Sequence, residues 1–347
     1  MFNYFRYTNK YERKTSVENT TLNKTVAVDG KKRIKVGDLF AGIGGIALGF
    51  ENAGFHVVWA NEIDHNACIT YRCNFEHKMY ECPIQTLQTD KLIDTDMLVA
   101  GFPCQAFSIA GYRKGFEDSR GTLFFEIMRL VDELKPKYLF LENVKNLEKH
   151  NKGNTFTIIL KELNKRGYFV KYKVMNTCEY SSIPQNRERI YIVAFKDRNI
   201  YNVFEFPKKV KNIQKITDLL EMDVNKSFYY SSKFKNYPLL KDEMRNKNSV
   251  YQWRRVYLRE NKNGLCPTLT ANMGMGGHNV PLILDSKGIR KLTPRECARF
   301  QGFPETYKLP KLTCSALYKQ LGNSVSVPVI EAIAKEIMRA IKKAGVL

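Results

Sequence analysis

The chain offers no paired cysteines. Its eight cysteines include no Cys-x-x-Cys pair, and none is spaced with the five histidines as a zinc site requires. No metal is therefore expected, and unpaired thiols are the rule in a reducing cytoplasm, where the protein is placed. No apolar run approaches the roughly 18 residues of a membrane span, so no membrane partner is expected. The first residues, MFNYFRYT, lack the apolar core of a secretory leader. No repeat period appears, which sets solenoids and arrays aside. Acidic residues are scarce: 35 Asp and Glu face 56 Lys and Arg, a net charge of +21. Such an excess favours a polyanionic partner.

What is present is an alternating pattern. At 347 residues the chain accommodates one large domain and a smaller one. Residues 1–31 are polar, basic and aperiodic and read as an N-terminal arm. From Ile34 onward the periodicity predicts a strand to Phe40, a helix over Gly44–Ala53 stopped by Gly54, and a strand over His56–Ala60. A helix near Asp64–Cys73 and a strand over Met97–Ala100 follow. Leu123–Leu134 carries Phe124, Ile127, Met128, Val131 and Leu134 at helical spacing and stops before Pro136. A strand over Tyr138–Leu141, a helix over Thr155–Arg166 and a strand pair at Tyr168–Met175 and Ile190–Phe195 complete residues 32–199. The rhythm implies an α/β fold with a mostly parallel, doubly wound sheet.

After Pro207 the rhythm is lost. Residues 200–290 are rich in Lys, Asn, Tyr and Arg and read as a separate, smaller, irregular domain. Regular structure returns at Thr293–Phe300, so 291–347 is taken as a segment rejoining the first domain. The last helix, after Pro328, carries Ile330, Ile333, Ile337 and Ile341 on one face.

Four motifs carry chemistry. The glycines of Asp38-Leu-Phe-Ala-Gly-Ile-Gly-Gly45 lie between strand and helix, where a tight turn lets a ligand approach the backbone. Glu62, at the end of the second strand, suits the hydroxyls of a ribose. Gly42-x-Gly44-x-x-Ala47 leaves NAD, FAD and S-adenosylmethionine all open. Cys104 follows Gly101 and Pro103 at the carboxyl end of a strand, the end that opens into the ligand crevice of such sheets. A glycine-spaced polar loop, Ala110–Gly121, follows with Arg113, Lys114 and Arg120, cations that favour a thiolate. Glu142 comes straight off an apolar strand, where desolvation raises a carboxyl pKa and suits it to proton donation. In Gln185-Asn-Arg-Glu-Arg189 the two arginines are two apart on an extended segment and point the same way, an arrangement suited to a phosphate or a base carbonyl.

Taken in order, and with Arg295-Glu-Cys-Ala-Arg-Phe-Gln-Gly-Phe-Pro304 and Gly322-Asn-Ser-Val-Ser-Val-Pro328, these motifs resemble those of the DNA (cytosine-5) methyltransferase family of bacterial restriction–modification type. The resemblance runs from Lys35 onward and implies a Rossmann-like S-adenosylmethionine-dependent methyltransferase fold. It implies that the Cys104 thiolate adds to C6 of a flipped cytosine. Glu142 would bind N3 and the exocyclic amine, Arg189 the O2 carbonyl, and Arg187 would stabilise the site and the catalytic loop. S-adenosyl-L-methionine would be held by Phe40, Gly42, Ile43, Gly44, Glu62, Ile63, Ile84, Pro103, Leu123, Asn323 and Ser324. Double-stranded DNA would meet Ser108, Arg113 and Arg120 of the loop. It would also meet Arg254, Arg255, Thr268, Thr270, Asn272 and the Gly274–Gly277 stretch of a target recognition domain at 200–290.

Two departures stand out. Pro83 occupies the place where many members have an aspartate that reads the adenine amine, which leaves Ile63 and Ile84 to pack on the faces of the ring. Ala110 stands where some relatives have a hydroxyl that enters the vacated base stack. A tRNA-directed branch shares Cys104 and Glu142 but has a shorter, different recognition region, so the broad basic insert argues for duplex DNA. A catalytically idle DNA-binding regulator would not need Cys104, Glu142 and Arg189 together. A cognate restriction endonuclease acting separately and a monomeric state are further expectations of the resemblance.

Overall fold

A computed structural model of the protein describes residues 33–103, 123–211, 213–254, 257–274 and 280–347. Its first half alternates strand and helix up to β3: β1 (Lys35–Leu39), α1 (Gly45–Asn52), β2 (His56–Glu62), α2 (His65–Arg72) and β3 (Lys78–Glu81), with β4 (Met97–Gly101) following after two short helical turns. Then come α3 (Leu123–Leu134), β5 (Tyr138–Val144), α4 (Asn154–Lys165), β6 (Phe169–Asn176), the two-residue β7 (Gln185–Asn186) and β8 (Glu188–Phe195). The central strands are apolar at consecutive positions because both of their faces are covered. On β4, Met97 and Val99 join one apolar layer while Leu98 and Ala100 join the other. Ile46 and Phe50 of α1 cover the first layer, and Ile127, Leu130, Ile159 and Leu163 of α3 and α4 cover the second.

The seven-stranded sheet runs β3-β2-β1-β4-β5-β8-β6. Strands β1 to β5 are parallel, whereas β8 is antiparallel to both β5 and β6. The chain winds outward from β1 to β3 and then returns to the other side of β1 as β4. The carboxyl ends of β1 and β4 therefore diverge at a topological switch point, where such sheets leave a crevice.

Two strand ends lie beyond the positions their periodicity predicts. β2 continues to Glu62, and β5 continues through Glu142 to Val144 because β8 pairs with it there, placing Glu142 opposite Tyr191 and Val144 opposite Arg189. Glu142 thus sits inside the strand rather than just after it. β3 has no apolar run to announce it: it is an edge strand of partly exposed residues fixed by pairing with β2.

The later chain carries a small antiparallel sheet ordered β10-β9-β12-β13, built from β9 (Val250–Trp253), β10 (Leu258–Asn261), β12 (Leu282–Leu284) and β13 (Ile289–Lys291). Between them β11 (Cys266–Pro267) pairs in parallel with β7. Turns and loops make up most of the rest. Three helices close the chain: α5 (Pro294–Phe300), α6 (Cys314–Asn323) and α7 (Val327–Lys343). Thr293 caps α5 in a reciprocal box with Glu296. Glu296 also receives both ends of the fully buried Arg290 fork, at 2.8 and 2.7 Å, which joins β13 to α5. Leu269, Met273, Val280 and Ile283 share an apolar cluster with Phe300, Phe303 and Leu321, and Ile34–Leu347 packs as one unit. Among the described residues no helix is long and apolar enough to cross a membrane.

The isoleucine stripe of α7 is wholly buried against α1 and the sheet. Ile333→Ala is expected to cost roughly 2–5 kcal/mol in urea denaturation, whereas Met222→Ser, at an exposed position, should change stability by less than about 0.5 kcal/mol.

Candidate active site and nucleic-acid interface

The crevice at the switch point is a cavity of about 750 Å³. Its floor is the turn after β1, where Phe40, Gly42 and Gly44 all take positive φ (55°, 55° and 81°). That conformation is strained for the phenylalanine, and such strain concentrates at functional sites. It turns Phe40 into the cavity. Gly44 starts α1 and does not line the cavity; a Cβ there would lie 2.3 Å from the Phe75 ring. Glu62 clamps the turn from the end of β2. One of its oxygens accepts the Gly42 N–H at 2.8 Å, and the other accepts the N–H groups of Ile63 and Asp64, each at 2.8 Å. Two carboxylate oxygens offer about four acceptor positions, so a sugar hydroxyl still finds one. Ile63, beside it, is 65% exposed, a bare apolar surface at the cavity rim.

The other wall comes from β4, β5 and β8. Gly101 lies opposite Glu142 in the β4–β5 register, and a Cβ on Gly101 would come within 3.6 Å of the Glu142 carboxylate. Glu142 faces Tyr191 across β5 and β8, and Arg189 is two residues before Tyr191, so it projects from the same face. Arg189 Nε lies 3.2 Å from Glu142 Oε1. The N–H is not aligned on that oxygen, so the contact is ionic and Oε1 receives no hydrogen bond among the described residues. Burial pushes the Glu142 carboxyl above its ordinary value, with Arg189 and Arg187 opposing the shift.

Arg187 is almost wholly buried. Its Nη1 donates to the Leu269 carbonyl at 2.7 Å, and its Nη2 donates to the carbonyls of Gly322 (3.4 Å) and Ser324. Burial, and then repulsion from Arg189, pull its pKa down to about 9. The guanidinium therefore ties β8 to the segment after β11 and to the end of α6. Gly322 is required at that junction, since a Cβ would meet the Thr270 carbonyl carbon at 2.1 Å. Asn143, next to Glu142, donates its amide to the Phe102 carbonyl at 2.8 Å. It thereby fixes the backbone just ahead of Pro103 and the cysteine that follows.

A second groove, about 650 Å³, opens on the other side of the same segments. One wall is the β9–β10 hairpin, with Gln252, Arg254, Arg259 and Lys262; the other carries Asn186, Thr268, Thr270 and Asn272. The two spaces are separated by single residues: Asn186 lines the groove and Arg187 the cavity, while Ala271 lines the cavity between Thr270 and Asn272.

Of the residues singled out in the sequence, Phe40, Gly42, Ile43, Glu62, Ile63, Ile84, Pro103, Leu123, Asn323 and Ser324 line one cavity together with Glu142, Arg187 and Arg189. Arg254, Thr268, Thr270 and Asn272 share the groove. Cys104, Ser108, Arg113, Arg120 and Arg255 lie outside the described residues, as does most of the Gly274–Gly277 stretch. Gln252 and Arg259 were not singled out. They lie directly opposite each other across the hairpin, and the alternation Tyr251-Gln-Trp-Arg254 was the signal that places Gln252 and Arg254 on one face.

Residues 34–339 match the family of C-5 cytosine-specific DNA methylases. The Type II methyltransferase M.Bsp6I of Bacillus sp. (strain RFL6) is 51% identical over 312 residues, covering 88% of this chain and 99% of its own. The Type II methyltransferase M.HhaI of Haemophilus parahaemolyticus is 41% identical over 316 residues, covering 86% and 93%. Among solved structures, the Dnmt2 methyltransferase of S. pombe superposes with a TM-score of 0.68 at 21% identity over 89% of this chain and 99% of that one, a likeness of fold.

Two expectations follow from this geometry. Arg187→Lys keeps the charge but cannot span carbonyls on two segments, so denaturant unfolding should show a loss of about 2 kcal/mol. Because burial raises Glu142 above its ordinary 4.5, the folded protein keeps that proton to higher pH than the unfolded chain does. The stability from this difference is full below about 4.5 and is lost as pH rises through the folded value. Glu142→Gln removes the dependence, so its stability relative to wild type should rise as pH increases above about 4.5; a difference that does not change with pH would contradict the assignment.

Proposed function

This chain belongs to the C-5 cytosine-specific DNA methylases, and on that premise we propose how its residues divide the work. The enzyme is a DNA (cytosine-5) methyltransferase that takes its methyl group from S-adenosyl-L-methionine. The cavity suits that donor in volume. Glu62 retains acceptor capacity for a ribose hydroxyl, exposed Ile63 and buried Ile84 offer apolar faces for the adenine, and the Ser324 hydroxyl is buried without a hydrogen-bond partner among the described residues. Phe40, Gly42, Ile43, Pro103, Leu123 and Asn323 enclose the remainder. When bound, S-adenosylmethionine supplies an electrophilic methyl group.

The observation that carries the mechanism is the buried Glu142 beside Arg189. C5 of cytosine is a poor nucleophile until the ring is made electron-rich. Cys104 Sγ, as thiolate, forms a bond to C6. Glu142, protonated because it is desolvated, donates to N3 as negative charge develops there, and its other oxygen accepts from the exocyclic amine. Arg189 donates to the O2 carbonyl. C5 then takes the methyl group, a water removes the C5 proton, the Cys104–C6 bond breaks, and N3 returns its proton to Glu142. Arg187 holds the wall on which this happens. Asn143 acts through the Phe102 carbonyl to position the cysteine, and is a positioning residue.

Reaching the ring requires flipping the nucleotide out of the duplex, at a cost of a few kcal/mol. Residues 200–290 serve as the recognition domain, residues 32–199 and 291–347 as the catalytic one, and 1–31 as a basic arm. Ser108, Arg113 and Arg120 follow the cysteine onto the DNA. Arg254, Arg255, Thr268, Thr270 and Asn272 face base edges and phosphates, with Gln252 and Arg259 on the same hairpin face. The net charge of +21 supplies the sequence-independent attraction. The Type II names of its relatives fit a role beside a separate restriction endonuclease, and a monomer in the cytoplasm completes the proposal.

Duplex DNA incubated with methyl-labelled S-adenosylmethionine should yield labelled 5-methylcytosine, and tRNA none. Label confined to tRNA, or found on adenine, would overturn the reading. A duplex containing 5-fluorocytosine should trap the wild-type protein covalently and fail to trap Cys104→Ala. Glu142→Gln should lower kcat by about 10²–10⁴-fold.

A further inference from the structure

The cavity end of β3, where Glu81 pairs with Glu62 of β2, leads into the stretch Cys82-Pro-Ile-Gln85, all of which lines the cavity. Pro83 brings neither a side-chain acceptor nor an N–H there, yet an adenine amine in this pocket needs an acceptor. Of the backbone carbonyls there, those of Cys82, Pro83 and Ile84 each already accept a hydrogen bond. The Cys82 carbonyl accepts from the Asn61 amide at 2.9 Å, and the Pro83 carbonyl accepts from the Thr86 N–H (3.0 Å) and hydroxyl (2.9 Å). The Ile84 carbonyl accepts from Arg129 at 3.0 Å. Gln85 lines the same end of the cavity, is exposed, and forms no hydrogen bond among the described residues.

The turn that carries Gln85 is held from both sides. Asn61 on β2 ties down the Tyr80 and Cys82 carbonyls. Arg129 on α3, itself paired with Glu126 and Glu133, ties down those of Ile84 and Leu87. A free primary amide therefore extends from a fixed backbone. One amide presents one acceptor and two donors, and that set matches the adjacent amine and ring nitrogen of adenine, the pairing by which glutamine reads this base elsewhere.

We infer that Gln85 is the adenine-reading residue of this enzyme: its Oε1 accepts from the adenine amine and its Nε2 donates to the neighbouring ring nitrogen, in the place an acidic residue takes in many relatives. The inference rests on the cofactor placement proposed above.

Titration calorimetry with S-adenosylhomocysteine and with its analogue lacking the adenine amine tests it. Wild type should bind S-adenosylhomocysteine about tenfold more tightly than the analogue, the worth of one hydrogen bond. Gln85→Leu should bind both alike, at the weaker level, and Gln85→Glu, which keeps the acceptor, should retain a preference for the amine. A wild type indifferent to the amine, or a Gln85→Leu that keeps the full preference, would overturn the assignment while leaving the cofactor in its cavity. Undiminished S-adenosylhomocysteine binding by Glu62→Ala would overturn the placement itself and the inference with it.

Discussion

The buried guanidinium of Arg187 is the constraint on which the two working surfaces depend. A charge taken out of water costs less when its hydrogens find partners, and here the two terminal nitrogens find backbone carbonyls of Leu269, Gly322 and Ser324. Three stretches far apart in the chain are thereby held at one point. One brings the arginine pair, one a wall of the polar groove, and one a wall of the larger cavity. Gly322 and the Thr270 backbone pack against each other there with no room for a side chain. The alternation of groove and cavity residues, Asn186 with Arg187 and Thr270 with Ala271, is the direct result.

The electrostatics of the site follow from the same arrangement. Two arginines and one carboxylic acid share a face of β5 and β8, yet burial outweighs both cations at Glu142. Arg187 spends its terminal nitrogens on carbonyls of distant segments, whereas Arg189 stays beside the acid and, among the described residues, donates only to the neighbouring Glu188 carbonyl. One arginine thus holds segments together and the other lies at the acid. Residue type and spacing alone treat them as a matched pair.

Much of the large domain was legible because its strands are covered on both faces and its helices on one, so apolar periodicity carried their positions to within a few residues. Where structure depends on a partner strand, that signal fails. β3 has no apolar run and exists by pairing with β2. The last residues of β5, including Glu142, are strand because β8 lies beside them. The hairpin of β9 and β10 is too short for its alternation to stand out, so Gln252 and Arg259 carry no signal in the chain. Gln85 is silent for another reason: an exposed glutamine in a turn has no pattern, and it gains meaning only from the engaged carbonyls of Cys82, Pro83 and Ile84.

The sequence by itself determined the chemistry. Local order sufficed to identify a glycine turn, a cysteine at a strand end, an acid on an apolar strand and an arginine pair, since each motif is contiguous and its backbone geometry is set by near neighbours. Tertiary structure decided what those groups face. That Glu142 is desolvated, that Arg187 is a bolt and Arg189 is not, and that the Gln85 amide lines the cavity without a hydrogen bond among the described residues all depend on atoms brought together from distant parts of the chain. Burial and hydrogen-bond satisfaction are properties of the packed molecule, and no local pattern encodes them.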